Sequence, residues 1–154
     1  MSLAEETEMT AAEIDRFLSE HETGVLSLAD DDEPYAIPIS YGYDADKRAF
    51  FLRLVSRPDS EKRRFLASTP KTRLVVYDED GAGEHYRSIV ATGDLEEVDP
   101  ADLNVTLIEQ YGEAKRPLFE IWGAEKPNLQ IQLYRLEPTE ISGRHTEVDR
   151  EAHD

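Results

Sequence analysis

From Tyr35 to Tyr43 the chain alternates without a break, with Tyr35, Ile37, Ile39, Tyr41 and Tyr43 on one side and Ala36, Pro38, Ser40 and Gly42 on the other. Side chains of a strand alternate between faces, so this run is a strand with one large apolar face and one low, flat face. The large face must be buried against other elements, which commits the chain to a β-rich fold with a real core. Runs at Gly24–Leu28, Ala49–Val55, Thr72–Tyr77, Tyr86–Val98 and Leu129–Tyr134 read as further strands, and Gly93 marks a bulge in the long one. The acidic turn Asp30-Asp31-Asp32-Glu33 between Gly24–Leu28 and Tyr35–Tyr43 makes those two strands a hairpin.

Helices fall between these runs. Thr10-Ala11-Ala12-Glu13 is a capping box followed by Ile14, Phe17 and Leu18 on one face. Pro58-Asp59-Ser60 introduces a second helix carrying Phe65 and Leu66, which ends before Pro70. Asp99-Pro100 starts a third with Leu103, Leu107 and Ile108, and Pro117 to Trp122 a fourth closed by Gly123. Six or so mostly antiparallel strands with short flanking helices predict a barrel, not a doubly wound sheet. At 154 residues the chain suits one domain, with 1–9 and 144–154 expected as loose polar tails.

Charge narrows the function classes. Seventeen Lys and Arg against 34 Asp and Glu leave −17, which argues against binding a nucleic-acid backbone over a broad surface. Arg outnumbers Lys, 12 to 5, and the acids cluster in turns and tails, a pattern expected of a halophilic protein whose self-repulsion is screened by salt. No apolar run nears the roughly 20 residues that span a bilayer, and the acidic start does not read as a secretion signal, so a cytoplasmic location is expected. Cysteine is absent, which removes disulfides, thiolate metal sites and thiol nucleophiles together.

Within this acidic chain lies one basic island. Arg53, Arg57, Lys62, Arg63, Arg64, Lys71 and Arg73 stand against only Asp59 and Glu61, a net +5. The island flanks a helix start, where the amides after Ser60 and the helix dipole favour an anion such as a phosphate. The alternative is that these cations pair with the surrounding carboxylates. The flat face of Ala36, Pro38, Ser40 and Gly42 also has two readings: a surface on which a planar ring can lie, or the close packing and taper of a barrel.

The run Glu33-Pro34-Tyr35-Ala36-Ile37-Pro38-Ile39-Ser40-Tyr41, then Phe50-Phe51-Leu52-Arg53, Ser60-Glu61-Lys62 and Ser68-Thr69-Pro70, resembles the pyridoxamine 5′-phosphate oxidase-like family. It looks closest to the branch that includes nitroimidazole-resistance proteins, and the resemblance spans roughly Ile14 to Leu136. It implies a split β-barrel that binds FMN. Ser60 and Lys62 would hold the phosphate, Arg53 with the backbone of Leu54 and Val55 would line the ribityl chain and ring, and Pro38, Ile39 and Ser40 would border the isoalloxazine. Ser88 matches the position facing the flavin, and Trp122 is the candidate to reach in from a second subunit, since such proteins hold the flavin between two protomers of a homodimer. Asp59 and Glu61 depart from the small residue and Arg or Gly that the family places around the phosphate-binding lysine. The terminal Gly143-Arg144-His145-Thr146-Glu147 lacks the Arg-rich substrate motif of true pyridoxamine 5′-phosphate oxidases.

Other motifs carry less. His21, His85, His145 and His153 are far apart in sequence with no His-x-x-x-His spacing, so no metal site is expected. Neither a Gly-x-Ser-x-Gly elbow nor a P-loop nor a Rossmann glycine signature occurs. The sequon Asn104-Val105-Thr106 falls inside a predicted helix and reads as chance. The expectation is an FMN-dependent oxidoreductase acting on a small-molecule substrate or electron donor. The alternatives are a flavin-storing protein without turnover, or a relative that holds deazaflavin F420 or haem.

Overall fold

The structure, a computed structural model, describes residues 4–56, 59–68, 71–80, 84–99, 101 and 130–148. Its elements run β1 (Ala4–Glu8), α1 (Ala11–Glu20), β2 (Thr23–Asp30), β3 (Glu33–Asp44), β4 (Ala49–Ser56), α2 (Glu61–Ser68), β5 (Lys71–Glu79), β6 (His85–Val98) and β7 (Gln130–Val148). The sheet order β7-β4-β3-β2-β5-β6 returns to β7 through a β6–β7 ladder, so six strands close a ring in which every pairing is antiparallel. Closure leaves few strand edges exposed to pair with other chains. The fold is a split barrel, as the strand count and alternation predict.

The large face of β3 does face inward. Ile39, Tyr41 and Tyr43 are buried, and Tyr35 and Ile37 pack against the same cluster as Leu26, Leu52, Leu74, Ile89 and Leu136. Each end of the barrel is stopped by a helix. At one end α1 begins with the predicted capping box, in which Thr10 Oγ1 accepts from the Glu13 amide and the Thr10 amide donates to Glu13 Oε1. Those bonds hold the Glu13 carboxyl below its ordinary value. Ile14, Phe17 and Leu18 of α1 are buried, and Tyr41 donates its hydroxyl to the Leu18 carbonyl at 2.9 Å. At the other end α2 buries Phe65 and Leu66, with the Phe65 ring stacked on Tyr35 at 4.6 Å.

The hydroxyl of Tyr43 donates to Asp15 at 2.7 Å, tying β3 to α1. Burial first, then the Asp15 hydrogen bond and charge, raise its phenol pKa, and burial raises that of Tyr41 as well. A phenol whose folded pKa exceeds its unfolded value contributes stability that is complete below about pH 10 and is lost as the pH climbs toward the folded value. The urea midpoint is therefore expected to fall above about pH 10. The fall should shrink in Tyr43→Phe, and an identical alkaline limb in wild type and variant would contradict this.

One feature differs from expectation. Within the predicted loose tails, residues 4–8 and 144–148 are strands that pair with each other, and β7 runs unbroken from Gln130 to Val148 with β6 on its other side. Polar sequence such as Ala4-Glu5-Glu6-Thr7-Glu8 carries no apolar period, yet the backbone groups on the side facing β7 are paired by the ladder. The long β6–β7 pairing also slips register between Thr92 and Gly93, placing the bulge at the glycine that marks it in the sequence. Of the third predicted helix, the described residues contain the cap, Asp99 Oδ1 accepting from the Ala101 amide at 2.9 Å. The rest of that helix, and the one from Pro117 to Trp122, lie outside the described residues. Among the described residues, no helix is long and apolar enough to cross a membrane.

Candidate functional site

Six of the residues predicted from sequence, Pro38, Ile39, Ser40, Arg53, Leu54 and Val55, follow the point where β3 and β4 part. β3 and β4 pair only from Tyr41 with Leu52 to Asp44 with Ala49. Beyond that point, among the described residues, β3 pairs with β2 from Ser40 back to Glu33 and β4 pairs with β7 from Arg53 to Ser56. Ser40 and Arg53 are thus the first residues past the last shared pair, one on each lip. Pro38, which cannot donate to a ladder, sits where β3 has lost β4 as a neighbour, as proline in a sheet requires. α2 follows β4 in the chain and stacks Phe65 on Tyr35 of β3.

Each predicted residue can now be placed. Pro38 is exposed on the outer face together with Ala36, and Ser40, on the same face, is 5% exposed. Arg53 is half-buried and, among the described residues, makes no ion pair. Ile39 and Leu54 point into the core and are buried, so both can meet a ligand only through their main chains. Val55 continues β4 opposite Ile131. Ser60 is half-buried and caps α2, its Oγ accepting from the Arg63 amide at 3.2 Å and its carbonyl from the Arg64 amide. Lys62 is half-buried in the first turn. Trp122 lies outside the described residues.

Ser88 is not brought to the lips. It lies on β6 between Tyr77 and Arg144. The outer-face row from Pro38 through Val25 and Val75 to Val90 crosses three strand spacings to reach β6, roughly 14 Å at about 4.8 Å each. Around that row the face is shallow, with Ser27, Leu28, Ala29, Lys71, Thr72, Arg73 and Thr92 lining an open trough of about 400 Å³. Tyr77, 68% exposed, stands on the same face.

The basic island therefore divides. Arg64 follows the carboxylate-pairing reading: it bridges Asp30 at 3.2 Å and Glu33 at 3.3 Å, nears Glu61, and lies over the Phe65 ring. Arg53 stands on the β4 lip, Lys62 lies in the first turn of α2, and Lys71 and Arg73 border the trough. Near α2, burial first and then the charge of Glu97 push the Tyr134 phenol up to about 12, with Arg63 opposing.

A second constellation escapes sequence reading. At the α1 end, Met9, Glu13, Arg16, Asp78, Glu79, Asp80, His85, Arg87 and His145 line a cleft of about 360 Å³. Arg87 grips both oxygens of Asp78 at 3.1 and 2.7 Å, and His21 Nε2 meets the same carboxylate at 3.1 Å. Burial raises the Asp78 pKa, but Arg87 and then His21 outweigh it and hold the carboxyl below its ordinary value. His21 Nδ1 faces the Phe17 carbonyl at 2.7 Å, so both ring contacts are hydrogen bonds only when the ring carries two protons. No local spacing announces this cluster, because its members come from in and around α1, β5, β6 and β7.

The comparisons follow the same lines. The family profile described as pyridoxamine 5′-phosphate oxidase matches residues 10–145. A Corynebacterium glutamicum protein described as a pyridoxamine 5′-phosphate oxidase superposes with a TM-score of 0.67 at 16% identity, covering 97% of this chain and 98% of that one. An FAD-binding protein from Mesorhizobium loti gives 0.66 at 20% identity, covering 94% and 98%. A 5-nitroimidazole antibiotic resistance protein from Bacteroides thetaiotaomicron gives 0.69 at 13% identity, covering 94% and 90%. No curated protein sequence matches the chain. With its family profile matched over most of its length and its closed, split sheet shared with these structures, the chain belongs to the pyridoxamine 5′-phosphate oxidase family.

Proposed function

We propose that this chain is an FMN-binding flavoprotein of the oxidoreductase type, holding the cofactor at the β3–β4 split. What supports this reading is the flat strand face of β3 at the split, a half-buried arginine of β4 outside any ion pair among the described residues, and the capped helix start bearing a lysine that follows β4 in the chain. The residues fit the group. Pro38 and Ala36 present almost no relief to a planar ring, and among the described residues the β3–β4 ladder ends before Ser40. The Ser60–Lys62 turn and Arg53 offer amides and cations to a phosphate.

When bound, the flavin supplies hydride or electron transfer. The chain's own residues position it: Ser40 and the Ile39 main chain at the ring, Arg53 and the Leu54 and Val55 main chain along its length, Ser60 and Lys62 at the phosphate. Ser88 lies too far across the barrel to join them within one protomer. The reading therefore includes a homodimer, in which the outer face bearing Ser88 and Tyr77 meets the lips of a second copy and excludes water from the ring. A similar solved structure is described as FAD-binding, so the identity of the flavin is part of the test.

Protein purified at molar salt is expected to be yellow, and mass spectrometry of the released ligand to give FMN. FAD, F420 or haem would replace the cofactor, and a colourless chain that ignores added FMN would end the proposal. Lys62→Ala is expected to weaken FMN binding by about tenfold or more, the value of a charge-assisted hydrogen bond, with an unchanged urea midpoint. Ser60→Ala should weaken binding and also cost about 1 kcal/mol of stability, because the hydroxyl caps the Arg63 amide. Reduction of the bound flavin by a nicotinamide or deazaflavin donor under anaerobic conditions separates an enzyme from a storage protein.

A further inference from the structure

We propose that His85, His145 and Glu147 form a binding site for one divalent transition-metal ion of the Zn²⁺ class, separate from the β3–β4 split. The three residues come from different parts of the chain, and the β6–β7 ladder brings them to one face. His85 stands directly opposite Glu147, and His145 is two residues along on the same side of β7. One ligand atom from each lies within 4.8 Å of the others. The two imidazole rings are 5.9 Å apart at 27°, and His85 Nδ1 is 3.6 Å from Glu147 Oε1.

These separations match the chemistry. Ligands about 2.0–2.2 Å from a tetrahedral Zn²⁺ stand roughly 3.3–3.6 Å from one another, so closing on an ion takes a side-chain rotation and leaves the strands in place. The other nitrogen of His85, Nε2, faces Asp80 Oδ2 at 3.9 Å. Asp80 is itself held by the Glu84 amide, which donates to its Oδ1 at 2.9 Å. A ligating histidine whose second nitrogen meets a carboxylate is the usual orienting arrangement in metal sites.

Local charge agrees. Arg87, opposite His145 in the ladder, is turned onto Asp78 and the Phe17 ring. Glu13 and His145 line the same cleft. Two imidazoles side by side repel when both are protonated, whereas one cation between them and a carboxylate satisfies all three. Two nitrogen ligands select Zn²⁺, Ni²⁺ or Cu²⁺ over Mg²⁺ or Ca²⁺. Three protein ligands leave a fourth position, and His85 and His145 also line the cleft that contains Arg16 and Arg87.

The test uses the full chain, stripped with a chelator and titrated with ZnCl₂ by calorimetry in molar NaCl, where diffuse binding to the acidic surface is screened. One Zn²⁺ per chain is expected, with no comparable binding of MgCl₂. His85→Gln, His145→Gln and Glu147→Gln should each weaken it by about tenfold or more, and Asp80→Asn by a similar factor through His85. Co²⁺ added to wild type should give the intense visible bands of a low-coordinate nitrogen site, a readout that needs no variant to fold. Zn²⁺ affinity unchanged in His85→Gln/His145→Gln, binding that vanishes in molar salt, or only the pale spectrum of six-coordinate Co²⁺ would each overturn the proposal.

Discussion

Phe65→Ala is expected to lower the stability of the barrel by about 3–5 kcal/mol, the range for emptying a buried aromatic site. Phe65 is fully buried and its ring lies parallel to Tyr35. α2 has eight residues, fewer than the roughly 12–15 at which an isolated helix becomes even marginal in water, so it exists only because its apolar face is docked. Only Phe65 and Leu66 supply that face. Against a typical total of 5–15 kcal/mol the loss is large, and it reaches the candidate site, because undocking α2 carries Ser60 and Lys62 away from the lips. Urea denaturation measures the first effect and FMN titration the second. Arg64→Ala is the control: its ion pairs are exposed and should be worth about 0–1 kcal/mol. A Phe65→Ala loss no larger than that of Arg64→Ala would show that α2 does not hold the barrel end.

Gly93→Ala is the second large effect, by a different mechanism. A Cβ at residue 93 would sit 2.6 Å from the Glu137 carbonyl oxygen and 2.9 Å from Pro138 Cα. Both are backbone atoms of the strand that closes the ring, so neither can rotate away. The strands must separate at the bulge, at an expected loss of about 3 kcal/mol, the upper end of the usual range for overpacking. Gly143→Ala provides the comparison. Its Cβ would meet Ile14 Cγ1 at 2.9 Å and Met9 Sδ at 3.0 Å, side-chain atoms that can shift, so its loss should be smaller. Thermal melts of the two variants rank them, and the reverse order would contradict this account.

Legibility followed the range of the interaction involved. The alternating faces of β3, the Thr10 capping box and the bulge at Gly93 each depend on residues within a few positions of one another, and each appears where the residues indicate. The lips of the split were legible in part. Ser60 and Lys62 were marked by a scarce cluster of positive charge, but the place where β3 and β4 part, between Tyr41 with Leu52 and Ser40 with Arg53, has no marker in either strand.

Local alternation, capping and turn chemistry decided which stretches become strand or helix and which face of each is buried, because those preferences act along the chain. Only the folded chain decided that β6 closes on β7, that the acidic stretch Ala4–Glu8 becomes a strand, and that His85 and His145 stand side by side. Backbone hydrogen bonding between distant segments is indifferent to side-chain polarity. A polar strand can therefore pair as an apolar one does while leaving no periodic trace of its partner.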